Sequence, residues 1–139
     1  MHFLIKQRLK MNISQHLTQI AIKALTDNKA QDIVEIDVSK LTPTFDAMVI
    51  CTATSTRHAT SLAKKIIEAT KEAGIRPLGM EGEKFGEWVL IDLCDVIVHI
   101  MLQAQRELYH LEKLWMVTES AKNTKKIKIP EAVKRKRKK

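Results

Sequence analysis

Cysteine and glycine are scarce in this chain, and each shortage removes a class of chemistry. The two cysteines, Cys51 and Cys94, each sit in an apolar run, with no CxxC pair or Cys/His cluster beside them. Such spacing does not supply the tetrahedral ligand set of a zinc site. It reads as two buried free thiols in a reducing cytosol. Four glycines leave no GxxxxGK[ST] or GxGxxG loop to cradle a phosphate. No stretch approaches the roughly 20 apolar residues of a membrane span. The opening MHFLIKQRLK is too short and interrupted an apolar run for a secretory signal, so the expected location is cytoplasmic and no membrane partner is implied.

What the chain does have is basic charge, unevenly placed. The formal net charge is +8 over 139 residues. From Ser120 to Lys139 there are ten Lys or Arg against one acid, Glu131, a net +9. Residues 1–119 hold fourteen basic and fifteen acidic groups, and Lys6, Arg8 and Lys10 fall in the first twelve. The body is therefore mildly acidic and is not a general phosphate-binding surface. Three segments follow: an N-terminal extension 1–12 with Met11 as a second start, one domain 13–119, and a basic tail 120–139 expected to be disordered in isolation.

Periodicity predicts the elements of the domain. Ile13, Leu17, Ile20, Ala21 and Ala24 recur at helical spacing, with Asn12 and Gln15 as a capping box. IVEIDV (33–38) alternates as a strand with Val34, Ile36 and Val38 on one face, and AMVICTA (47–53) suits a strand buried on both faces. Ser55 caps a helix to about Ala73, with Ala59, Leu62, Ala63, Ile66, Ile67 and Ala73 inward and Gly74 as the stop. PLGMEG (77–82) reads as a short strand or extended loop. EWVLIDL (87–93) and VIVHIML (96–102) form a hairpin through Cys94-Asp95. A last helix, 104–116, turns Ala104, Leu108, Leu111 and Trp115 inward. The order α-β-β-α-β-β-β-α defines an α/β (α+β) domain, a mixed β-sheet of about five strands flanked by helices.

Two groups bear on catalysis. Asp92, Asp95 and His99 at the hairpin offer carboxylates to a divalent cation, although Asp also caps turns and a histidine in an apolar strand suits a structural hydrogen bond. Cys51 and His58 flank a strand-to-helix turn, without a third orienting group. Thr52–Thr56 offers backbone amides to an anion, or simply a cap at Ser55 or Thr54. Binding features are better marked. QRELYHLEKLW packs Tyr109, Leu111, Leu114 and Trp115 together, more large apolar groups than one inward stripe needs, and Trp88 adds another aromatic. Lys134, Arg135, Lys136, Arg137, Lys138 and Lys139 form a run suited to weak, salt-dependent RNA contact.

Five segments carry a resemblance: Asp46–His58 (DAMVICTATSTRH), Gly79–Gly82, Trp88–Asp92, Asp95–His99 and Arg106–Trp115. In order and spacing they are similar to the bacterial ribosomal silencing factor (Iojap-like) family, over roughly residues 13–116. The resemblance implies a fold like that of nucleotidyltransferases but without their catalytic motif, no cofactor and no enzymatic activity. It implies a homodimer when free. Its implied partner is the large ribosomal subunit, bound through a ribosomal protein of the L-fourteen family so that subunit joining is blocked and translation repressed. Trp88 and Tyr109 become contact anchors, with Arg106, Glu112 and Trp115 in support. Ala53 and Cys94 stand where the family often has Gly, and the tail from about Lys122 exceeds the usual length. The competing reading is a metal-dependent nucleotidyltransferase-like enzyme using Asp92 and Asp95.

Overall fold

In the computed structural model, which describes residues 2–115 and 124–126, with side chains described over 13–114, a single mixed sheet organises the chain. Its centre is β2 (Ala47–Ala53), buried at every position, as expected of an apolar run with no alternation. β5 (Val96–Leu102) lies parallel to β2, Ala47 opposite Val96 and Ala53 opposite Leu102. On the other side β1 (Gln31–Asp37) runs antiparallel to β2, with a bulge between Gln31 and Val34. β4 (Trp88–Asp92) forms the expected antiparallel hairpin with β5, and β3 (Gly79–Glu81) extends the sheet from β4. The strand order is β3-β4-β5-β2-β1-β6.

The sixth strand departs from the expectation of a structureless tail. β6 (Thr124–Lys126) pairs antiparallel with β1, Lys125 opposite Glu35. Three residues without an apolar period give no strand signal. The pairing rests on the open backbone donors and acceptors of the β1 edge. Residues 127–139 lie outside the described residues.

Two helices cover one face. α1 (His2–Asp27) is helical straight through Asn12, so the capping box there does not form and the extension belongs to the helix. Leu17, Ala21 and Ala24 are buried as predicted, joined by Ser14, Thr18 and Leu25, while Ile20 is only partly buried and Ile13 is exposed. Ser14 donates to Asp46 Oδ2 (2.6 Å) and Thr18 to the Ser14 carbonyl (2.8 Å), which makes burial of both hydroxyls tolerable. α2 (Thr56–Glu72) begins at Ser55, whose Oγ accepts from the His58 amide, and ends at Gly74 with φ +77°. Ile67 is only partly buried and Ala73 is exposed; Thr70 takes the inward place at that end.

The opposite face is smaller. Val34, Ile36 and Val38 share it as predicted, packed with Met48, Ile50 and Met101 and bordered by Phe45, Trp88 and Leu111. The predicted single helix over 104–116 is instead α3 (Gln103–Tyr109) and α4 (Leu111–Trp115), separated by His110 in the left-handed conformation. Of the predicted inward residues, Leu111 packs on this face. Ala104 and Leu108 point outward and Arg106 points in, because a multiply bonded guanidinium fills the inward position.

Candidate functional site

Register brings Trp88 and His99 together. Trp88 faces Met101 and Leu90 faces His99, so the two rings are diagonal neighbours on the α3 face. The Trp88 indole Nε1–H donates to His99 Nδ1 at 2.9 Å, with ring centroids 5.8 Å apart. An indole nitrogen only donates, so His99 Nδ1 is unprotonated and a neutral ring carries its proton on Nε2. Burial pushes the His99 pKa down to about 4, keeping that acceptor available at neutral pH. This is the structural histidine expected of an apolar strand.

Trp88 also contacts Tyr109, ring centroids 4.8 Å apart and planes tilted by 47°. Tyr109 is 48% exposed, and beside it in sequence Leu108 is 71% and Leu114 66% exposed. Large apolar side chains thus face solvent from both short helices, backed by an indole fixed from behind. The loop between β3 and β4 joins this region, since Glu87 accepts from Leu102 N (3.0 Å) through its carbonyl and from Gln105 Nε2 (3.2 Å) through its carboxylate. Phe85 stands exposed on that loop.

The two anchors inferred by resemblance, Trp88 and Tyr109, are therefore in contact. Arg106 and Glu112 meet each other rather than solvent: Arg106 Nε donates to Glu112 Oε1 at 2.6 Å, and Arg106 is 9% exposed. Trp115 ends α4, and its side chain lies outside the described side chains, as do Lys134 to Lys139. Leu108 was missed because the helical period assigned it to the core. The surplus of large apolar groups on this segment was the signal that could have corrected it.

Most of the side chains that could serve catalysis are engaged in the fold. Asp92 Oδ1 accepts from the Cys94 amide (2.8 Å), closing the hairpin turn. The Asp95 carbonyl accepts from the Asp46 and Ala47 amides. Cys51 is fully buried and its thiol is pushed up to about 12 by desolvation, against a smaller downward pull from Arg106. His58 is engaged at both ring nitrogens: Nδ1 accepts from the Thr54 amide (3.0 Å) and Nε2 faces the Asn28 carbonyl at 2.9 Å. Cys94, expected buried, is exposed at a turn position with φ +77°. Among the described residues no three His, Cys, Asp or Glu side chains are grouped to hold a metal ion, and no helix is long and apolar enough to cross a membrane.

Fold and surface together define a small mixed-sheet α/β domain with a solvent-facing aromatic and aliphatic patch on its last two helices. Residues 11–139 match the family described as ribosomal silencing factor during starvation. A ribosomal silencing factor of Chromobacterium violaceum is 46% identical over 101 residues, 73% of this chain and 83% of that protein. Its counterpart in Haemophilus influenzae is 40% identical over 71% of this chain and 97% of its own length. A crystal structure of a Chromobacterium violaceum protein superposes with a TM-score of 0.73 at 42% identity, covering 79% of this chain and 97% of the other. A mouse protein named for mitochondrial assembly of the ribosomal large subunit is 32% identical over 68% of this chain and 42% of its own length. The chain belongs to the ribosomal silencing factor family, and that membership supports a ribosome-associated, translation-silencing role.

Proposed function

We propose that this protein binds the large ribosomal subunit through a ribosomal protein of the L-fourteen family, and that the bound factor sterically blocks joining of the small subunit and represses translation. The observation that carries this reading is the exposed Tyr109 ring resting on Trp88, flanked by exposed Leu108 and Leu114. Aromatic side chains held rigid from behind make effective interface anchors, because little side-chain freedom is lost on binding. The mouse relative's name, which refers to the ribosomal large subunit, points to the same partner class. An occluding factor needs no bond chemistry, only an interface of adequate size and complementarity. A mildly acidic body also favours encounter with a basic ribosomal protein.

In this reading the protein is cytoplasmic, is a homodimer when free, and uses its basic tail for weak ribosomal RNA contact. The test is sedimentation with separated ribosomal subunits. Wild-type protein is expected to travel with large subunits and to prevent their joining with small ones. Trp88→Ala and Tyr109→Ala are expected to abolish both while keeping the far-ultraviolet spectrum of the fold. Undiminished binding by both variants rules out this surface.

A further inference from the structure

Arg106 sits under the exposed patch without belonging to it. Its Nη1 donates to Thr52 Oγ1 on β2 at 2.8 Å and to the Asp32 carbonyl at the β1 bulge, while Nε donates to Glu112 on α4. One guanidinium therefore ties two strands and α4 to α3. Asp32 has a positive φ of 47°, which belongs to the bulge that presents its carbonyl to the guanidinium. Side-chain exposure in the ion pair is 10% for Arg106 and 22% for Glu112.

The helices need such a tie. α3 has seven residues and α4 has five, both far below the length at which a helix holds itself in water. α3 has no side-chain hydrogen bond at its N-cap, and the two helices meet at His110 with φ 48°. A left-handed non-glycine residue persists only where its surroundings hold it there. Across that joint runs the Arg106–Glu112 pair. The planar fork of arginine satisfies several acceptors in fixed directions, which the point charge of a lysine does not.

We propose that Arg106, with Glu112, is a positioning residue for the docking surface: the buried pair fixes the angle between α3 and α4 that lays Tyr109 on Trp88 and turns Leu108 and Leu114 outward. This rests on the docking reading above and changes the role of both residues within it. Neither touches the partner. If loss of the pair leaves the helices correctly placed a tenth of the time, affinity falls about tenfold by population alone.

Two readings on the intact chain test this: the Trp88 indole N–H resonance, assigned with Trp88→Phe, and affinity for large ribosomal subunits. Arg106→Met and Glu112→Ala are expected to shift that resonance as Tyr109→Leu does, because the tyrosine ring leaves the indole. They are also expected to weaken binding by about tenfold or more. Should Arg106→Met fail to fold, Glu112→Ala, at the less buried end of the pair, carries both readings. Weakened binding with an unmoved resonance makes the pair a direct contact and overturns the proposal. A shifted resonance with full affinity overturns it too, since placement of Tyr109 then has no bearing on docking. Full affinity in Tyr109→Ala instead removes the docking surface itself, and the proposal with it.

Discussion

The indole N–H of Trp88 donates to Nδ1 of His99 at 2.9 Å, across a hairpin and under the exposed ring of Tyr109. Burial of the His99 ring makes stability depend on pH. His99 titrates at about 4 in the fold against an ordinary value of 6.5, so the unfolded chain takes up the proton first. The contribution is complete above pH 6.5, falls as pH drops toward 4, and is fully lost below that. The shift corresponds to about 3 kcal/mol, at 1.36 kcal/mol per unit. Urea unfolding between pH 7 and pH 4 is expected to show that decline in the wild type and a shallower one in His99→Gln. Parallel curves would remove His99 as the source.

Cys94 is a cysteine where the backbone prefers glycine, with φ +77° and its thiol in solvent. Cys94→Gly is expected to raise stability by about 1 kcal/mol, the usual cost of a left-handed side-chain residue. The amide that Asp92 caps is retained in this variant. A neutral thiol reagent is expected to modify one thiol per native chain rapidly, at Cys94. Cys51, buried and pushed up to about 12, is expected to react only on unfolding. Fast modification of two thiols per native chain would contradict the burial of Cys51.

Gly82, just after β3, packs tightly against the first residue of β4. Its φ is +84°, and a Cβ there would come within 2.0 Å of the Trp88 carbonyl oxygen. Gly82→Ala is expected to cost roughly 2 kcal/mol or more, since both the backbone conformation and the close approach are lost. Because the strained contact is with Trp88 itself, large-subunit binding is expected to weaken as well. Thermal unfolding and sedimentation report the two effects. Gly74, with open space around its Cβ position, offers the comparison: Gly74→Ala meets backbone strain alone and is expected to leave binding unchanged.

How much of this was legible in the sequence differs by element. AMVICTA read as a doubly buried strand because nothing in it alternates, and the Asp92–Asp95 hairpin read from its short polar link. The α1 stripe kept Leu17, Ala21 and Ala24 but missed Ser14 and Thr18, buried polar residues that hydrophobic patterning counts as outward. The same blindness inverted α3. A charged Arg106 at its centre signalled solvent, yet its partners on β1 and β2 are distant in sequence and, with Glu112 on α4, made burial favourable. Trp88 and Tyr109 were reached through family resemblance. Their mutual contact and the buttress at His99 depend on strand register, which no local pattern specifies.

β6 makes part of the tail integral to the sheet. Residues 124–126 complete the sheet edge on β1, so a chain stopped near Ser120 would lose that pairing along with the positive charge. A chain ending at Ala132 keeps β6 and removes Val133 and the six basic residues Lys134 to Lys139. If that run contacts ribosomal RNA, each phosphate neutralised releases counterions. The logarithm of the affinity then falls with the logarithm of salt by roughly 0.7 to 0.9 per contact. The full chain is expected to show a steeper salt dependence of large-subunit binding than the Ala132 chain. The two affinities should converge at high salt, where the apolar anchors alone remain. Equal slopes would confine recognition to the folded domain and leave the tail no part in it.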